Sequence, residues 1–285
     1  MMKSMGWVWS LAFAMCATSA CVSNQEQFSN SIEADSSDGI GTAVEAQSQQ
    51  GLSARPNDGY SLEWFSCTRS AKAPVVVMLN TTETPFKAGA CKTGLAQAFL
   101  QQDYNVIALN RPGFGQSEGK EVLGDDKTVK SVQTYLKDAQ DQGKNIEALW
   151  GFEEASILAF RVAKNSKLKL LIVGNGIYEW DATVNGGKDP AYASQLKALA
   201  GTDPSFAEKR SVAWDFSGLP KSVYLYHMQN QTRYPEAQAE AFRAALAANQ
   251  YSVKLIQLKD DKAILTPVGH QSVLMQIAQA QKLQK

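Results

Sequence analysis

Side chains able to do chemistry are sparse in this sequence, and two stand out by their setting. Glu153 lies in Gly151-Phe152-Glu153-Glu154-Ala155, between an apolar run at 146–150 and a second apolar run at 155–163. The first run reads as a strand and the second as a helix, with Gly151 and Ala155 small enough for the two to approach closely. A carboxylate at Glu153 would occupy a helix N-terminus, where free N–H groups and the dipole favour negative charge by roughly 0.3–1 kcal/mol. His270, one of two histidines, follows Gly269 on what reads as the loop between the last strand and the last helix. The carboxylate could itself accept hydrogen bonds intended for a transition state, or pair with His270 if that imidazole is protonated, and both stabilise a resting protein rather than a reaction.

The elements that must position these residues alternate from residue 60 onward. Strands are expected at 60–67, 74–79, 104–109, 146–150, 168–173, 222–226 and 253–258. Most are continuous apolar runs, the pattern of parallel strands buried on both faces. Helices are expected at 93–102, 128–142, 155–163, 235–249 and 272–283, from apolar residues at helical spacing. The order implies an α/β fold with a mostly parallel central sheet and helices on both faces. Residues 178–219 break the rhythm with mixed sequence containing Gly and Pro.

One further stretch is specific. Asn110-Arg111-Pro112-Gly113-Phe114-Gly115-Gln116-Ser117 resembles the Arg-Pro-Gly-aromatic-Gly-x-Ser loop of the α/β-hydrolase family, whose glycines allow a tight turn beside the active site. Gly151-x-Glu153-x-Ala155 is similar to that family's nucleophile elbow, the strand-to-helix turn that presents the attacking side chain. The resemblance covers about residue 60 to the C-terminus, and it implies the family's nucleophile, acid and histidine in that chain order. By that resemblance Glu153 stands at the nucleophile, Gln231, four residues before Pro235, at the acid, and His270 at the histidine. Two of the three positions are therefore substituted. His227 matches a histidine that often begins the acid loop and is read as structural. The oxyanion hole would use the backbone N–H of Glu154 and one near Thr81 or Thr82, where many relatives carry His-Gly at the positions of Asn80 and Thr81. The 178–219 insertion would form a cap. Ser156 is no substitute nucleophile, because an elbow centred on it would place Glu154 and Leu158 at the small positions.

Before the expected domain at 57–285, residues 1–20 read as a signal peptide, with Lys3, an apolar stretch and small residues ahead of Cys21. Small residues before a cysteine resemble a bacterial lipobox, although Thr18 replaces the usual aliphatic residue. Cys21 is accordingly expected to carry lipid, with ordinary secretion as the alternative. Residues 21–56, rich in Ser, Gln, Asn, Asp and Gly, read as a disordered tether to a cell-envelope membrane, with the domain facing the periplasm. Cys67 and Cys91 could pair in that oxidising compartment or remain separate buried thiols.

The chain has 285 residues, 44% hydrophobic, with formal net charge zero and pI near 6.7. That balance gives no electrostatic reason to expect nucleic acid as a partner. No metal-ligand cluster, phosphate-binding loop or cofactor motif is present, so neither metal nor cofactor is expected.

Three readings follow. The leading one is a degenerate hydrolase-like protein that binds a small molecule beneath the cap, or a protein. The second is an active hydrolase of esters, epoxides or related small substrates, with Glu153 as nucleophile and His270 activating water. Relatives acting on haloalkanes and epoxides use Asp there, and some take their acid after the strand here at 168–173, near Asn175, Glu179 or Asp181. The third is a structural envelope component whose pocket is filled by Tyr178, Trp180, Tyr192 and Trp214.

Overall fold

The apolar runs are buried and adjacent. In the computed structural model β3 (Val75–Leu79), β4 (Asn105–Leu109), β5 (Ile146–Phe152) and β6 (Leu170–Gly174) are buried at every residue. With β1 (Gln47–Leu52), β2 (Glu63–Thr68), β7 (Ser222–Met228) and β8 (Ser252–Leu258) they form an eight-stranded sheet ordered β1-β2-β4-β3-β5-β6-β7-β8. The six strands from β4 to β8 are parallel, and β1 and β2 are antiparallel additions at one edge. The residues described are 43–81, 84–120, 122–200, 205–212, 215–229, 231–258 and 267–282. The signal segment, Cys21, the tether up to residue 42, Thr82 and Trp214 lie outside them.

Helices cover both faces, as parallel crossovers require. On one face α1 (Gly94–Leu100) and α8 (Pro267–Lys282) bury Phe99, Leu100, Val273, Leu274 and Ile277 against Val76, Met78, Trp150 and Tyr226. On the other, α2 (Asp126–Asp141), α3 (Ala155–Ala163) and α7 (Glu236–Ala248) bury Val132, Leu136, Leu158, Phe160, Phe242 and Leu246. Asp125 starts α2 by accepting the Thr128 N–H at 2.7 Å. The 178–219 insertion contains α4 (Trp180–Gly186), α5 (Pro190–Ala200) and α6 (Phe206–Arg210).

Two boundaries differ from the sequence reading by five residues or more. The expected tether at 21–56 includes β1, which pairs with β2 from Gln47↔Thr68 to Leu52↔Glu63. Gln47-Ser48-Gln49-Gln50-Gly51-Leu52 shows no apolar alternation because it is an exposed edge strand, held by backbone pairing and by Trp64, whose ring lies 2.9 Å from where a Gly51 Cβ would be. The chain is also fixed just before β1, since Gln97 on α1 accepts the Val44 N–H at 2.8 Å and donates to the Val44 carbonyl at 3.1 Å. The last helix begins at Pro267, five residues earlier than expected, so His270 sits in its first turn rather than on a loop. Proline suits the start of a helix, where its missing N–H has no intrahelical partner to lose, and Gly269 is tolerated inside it.

Cys67 on β2 and Cys91, in a short 3-10 turn at Ala90–Lys92, are joined as a disulfide.

Candidate functional site

At the C-terminal edge of the sheet, β5 ends at Phe152 and α3 begins at Ala155, leaving Glu153 to make the turn. Glu153 has φ 53°, a left-handed conformation that is costly for a residue with a side chain. Its N–H donates to the Gly174 carbonyl at 2.9 Å, and its carbonyl accepts the Ser156 N–H at 2.9 Å. A Cβ at Gly151 would stand 2.7 Å from Ala159 Cβ and 3.0 Å from the Ala155 carbonyl oxygen, so glycine is what lets helix and strand meet. The side chain of Glu153 is half-buried. Ser156 is wholly buried, its hydroxyl accepting the Ile177 N–H at 2.9 Å, which ties α3 to the segment after β6.

The Arg-Pro-Gly loop lies alongside. Asn80, at the end of β3, accepts the Arg111 N–H at 2.6 Å through its side chain, while Arg111 Nε donates to the Asn80 carbonyl at 2.8 Å. Asn110 donates to Glu63 Oε2 at 2.8 Å and to the Phe86 carbonyl at 2.9 Å. Gly115 has φ 56°, and a Cβ there would come within 2.0 Å of the Glu63 carboxylate. The side chain at position 80 thus serves as a brace for this loop. Thr81, beside it, accepts the Asn80 side-chain amide at 2.7 Å through its carbonyl.

His270 is reached from α8 and lies against β5 and β7. In the sheet, Gly174 stands between Phe152 and Tyr226 in register. Glycine in the middle allows the two rings to face each other across it, centroids 6.1 Å apart and 17° from parallel; a Cβ on Gly174 would collide with the Tyr226 ring at 2.1 Å. The imidazole packs against this pair and Trp150, with ring centroids at 4.5 Å from Phe152, 5.4 Å from Trp150 and 5.5 Å from Tyr226.

The hydrogen bonds fix its protonation. Trp150 Nε1 can only donate, and it donates to the Tyr226 hydroxyl oxygen at 2.9 Å. Among the described residues that hydroxyl's other partner is His270 Nε2, 2.5 Å away, and with the ring as the Nδ1–H tautomer the Tyr226 hydrogen has that lone pair as its acceptor. The neutral ring carries its own proton on Nδ1. Burial pushes His270 down to about 3 from 6.5, with no carboxylate among the described residues opposing the shift. A carboxylate in contact would raise it. The ion pair that a protonated His270 could make with Glu153 is thus not formed, and His270 Nε2 is engaged by Tyr226 instead.

At the acid position, Gln231 Oε1 accepts the Thr232 N–H at 3.0 Å and the Arg233 N–H at 3.5 Å, bonds within its own loop. His227 holds the same loop, its Nε2 bonded at 3.0 Å to the Tyr234 carbonyl, as expected of a structural residue. The alternative acids after β6 are committed elsewhere. Glu179 caps α4, accepting the N–H groups of Asp181 at 3.1 Å and Ala182 at 2.5 Å, and Asp181 is exposed. Asn175, with φ 44°, continues the β6–β7 ladder by accepting the Met228 N–H at 3.0 Å.

The cap meets the elbow through tyrosines. Tyr192 from α5 donates its hydroxyl to Glu154 Oε1, which Tyr234 also approaches at 3.1 Å; the two hydroxyl oxygens are 2.6 Å apart. All three residues are buried. Burial first, then the Glu154 charge, raises both phenols well above the usual range, and Glu153 adds to the effect on each. Burial also raises Tyr226, with a smaller contribution from Glu153. Trp180 packs on Phe206 within the cap, whereas Tyr178 belongs to the core beneath it, between Phe160 and Phe242.

Sequence reasoning singled out Glu153 and His270 but missed Tyr226 and Tyr234, and it read Tyr192 only as a packing aromatic. The readable signal for Tyr226 is Gly174, a glycine ending an otherwise bulky strand, which marks a close approach. Among the described residues no group of three His, Cys, Asp or Glu side chains could hold a metal ion.

No protein-family model matches this chain, and no curated protein matches its sequence. Solved structures do resemble it in fold. An esterase from Pyrococcus furiosus is 16% identical with a TM-score of 0.65, the match covering 83% of this chain and 91% of the esterase. An acylaminoacyl peptidase from Pyrococcus horikoshii is 12% identical with a TM-score of 0.67, covering 85% of this chain but only 42% of the peptidase. A putative esterase from Staphylococcus aureus is 14% identical with a TM-score of 0.60, covering 86% of each chain. The chain has the α/β-hydrolase fold; at these identities the likeness extends to the fold alone.

Proposed function

We propose that this chain of α/β-hydrolase fold is an exported, lipid-anchored protein that does not catalyse acyl transfer and acts by binding. One observation carries the reading: the buried His270 Nε2 is hydrogen-bonded to the Tyr226 hydroxyl at 2.5 Å. In a serine-type triad that nitrogen must take the nucleophile's proton. Here its lone pair is occupied, the ring is buried, and the acid position is filled by a neutral glutamine. Glu153 adds a fixed charge where catalysis needs donors kept open for charge that develops later. The anchoring half of the proposal rests on the signal-like leader and Cys21. Among the described residues no helix is long and apolar enough to cross a membrane. The binding half rests on the cap, whose α5 reaches the residue after the elbow through Tyr192, and which would hold a small molecule there or present a surface to a protein.

The second reading, an active hydrolase using Glu153, is favoured by the φ of 53°, the conformation an attacking side chain would need. The two are separated by labelling with a fluorophosphonate and by short-chain ester assays on wild type, Glu153→Ser and Glu153→Ala. Restoring serine to a working triad would raise turnover at least about 10³-fold over the alanine variant. The expected ratio is near one, with no labelling of wild type. Robust wild-type turnover that His270→Ala abolishes would overturn the proposal.

A further inference from the structure

The cap is not held on evenly. Of the 11 residues of α5, only Tyr192 and Leu196 are buried. Leu196 packs in a small aromatic and aliphatic cluster with Trp180, Val184, Phe206 and Tyr234, separate from the clusters on the two faces of the sheet. Ala193, Leu199 and Ala200 add only partly buried surface to that cluster. For its length α5 thus has fewer fully buried anchors than α1, α2 or α3, and such elements open at the low-energy end of a protein's fluctuations. The polar contacts that hold α5 are concentrated at its first turn. The Tyr192 hydroxyl donates to Glu154, the residue directly after the elbow. Asp189, just before α5, accepts the Tyr192 N–H at 3.0 Å and pairs with Arg233 Nε at 3.1 Å. Arg233 in turn stacks over the Tyr192 ring at 4.9 Å, and the Lys188 N–H donates to the Thr232 carbonyl at 2.7 Å. The loop carrying Gln231 has thus become the keeper of the cap, where a triad would have it hold the histidine.

We propose that α5 is a lid latched shut over the elbow by the hydroxyl of Tyr192 on the carboxylate of Glu154, and that it opens as a unit while the sheet stays folded. The latch stands whether or not the elbow turns over a substrate, since it uses the Tyr192 hydroxyl and the Glu154 carboxylate, whereas the oxyanion hole would use only the Glu154 backbone N–H. It makes Glu154, now buried, the carboxylate whose accessibility reports the open state.

The test uses the folded protein and a water-soluble carbodiimide with glycine ethyl ester, and reads amidation site by site by mass spectrometry. Tyr192→Phe keeps the ring and removes the donor. Glu154 should then be modified at least 10-fold faster than in wild type. Glu147, a comparably buried carboxylate at the opposite end of β5 and paired with Lys169, should keep its rate. Equal Glu154 rates in the two proteins would overturn the latch, and a parallel rise at Glu147 would do so too, by showing general loosening. Hydrogen exchange on the wild type gives an answer that needs no variant: amides of α5 should exchange faster than those of β3 to β7 and with little denaturant dependence. Exchange of α5 only together with the sheet would overturn the proposal.

Discussion

Lowering the pH from about 7 to about 4 is expected to remove about 3 kcal/mol of stability through His270 alone, and His270→Gln should abolish that loss. The sign follows from where protons bind. The imidazole sits at about 3 in the folded protein, against 6.5 when exposed. Above 6.5 both states are neutral at this residue and it imposes no penalty. As the pH falls below 6.5 the unfolded chain takes up a proton that the folded chain refuses, so stability declines until about pH 3 and then levels off. The full shift corresponds to roughly 4–5 kcal/mol. Glutamine offers the Tyr226 hydroxyl a side-chain acceptor and does not titrate. Urea unfolding of wild type and His270→Gln at a series of pH values isolates the residue, because other acid-sensitive groups are common to both. The gap between the curves should shift by about 3 kcal/mol in favour of the variant by pH 4. Parallel curves would mean that the imidazole is solvated or charge-paired.

Reducing the Cys67–Cys91 bond is expected to cost about 3 kcal/mol. The two cysteines are 24 positions apart, and linking them removes conformations from the unfolded chain in proportion to the logarithm of that loop. The bond joins β2 to the turn that leads into α1, close to where Gln97 grips Val44, so it secures the edge at which the antiparallel strands are added. Unfolding with and without reductant should show the loss, and a Cys67→Ala/Cys91→Ala protein should lie at the reduced value in both. An unchanged midpoint on reduction would show that the thiols are not paired in the folded protein.

Much of this architecture was legible in the residues. Runs such as Val75-Val76-Val77-Met78-Leu79 and Leu170-Leu171-Ile172-Val173 can only be strands covered on both faces, and their alternation with amphipathic helices fixes the layering. Gly151 and Ala155 marked the elbow, because two small residues around a strand-to-helix turn answer a steric need that is visible in one dimension. Polar β1 was not legible: an edge strand is stabilised by backbone pairing, and its side chains carry no pattern. His270 was placed on a loop because Pro267 and Gly269 look like punctuation, yet proline also begins helices. The decisive contacts were hidden for a different reason. Tyr226 reaches a histidine 44 positions away, and Tyr192 a glutamate 38 positions away. Nothing local distinguishes a tyrosine that packs from one whose hydroxyl closes a network.

The central claim, that His270 is a buried neutral acceptor rather than a base serving the elbow, is open to direct observation. The protein has only two histidines, so a sample labelled with ¹⁵N-histidine gives few imidazole signals. Followed by NMR across pH, His270 should remain the Nδ1–H tautomer through neutrality, with protonation deferred to about 3 and unaffected by Glu153→Gln. A midpoint at or above 6.5 that falls when Glu153 is neutralised would place the imidazole beside the elbow carboxylate and contradict the account.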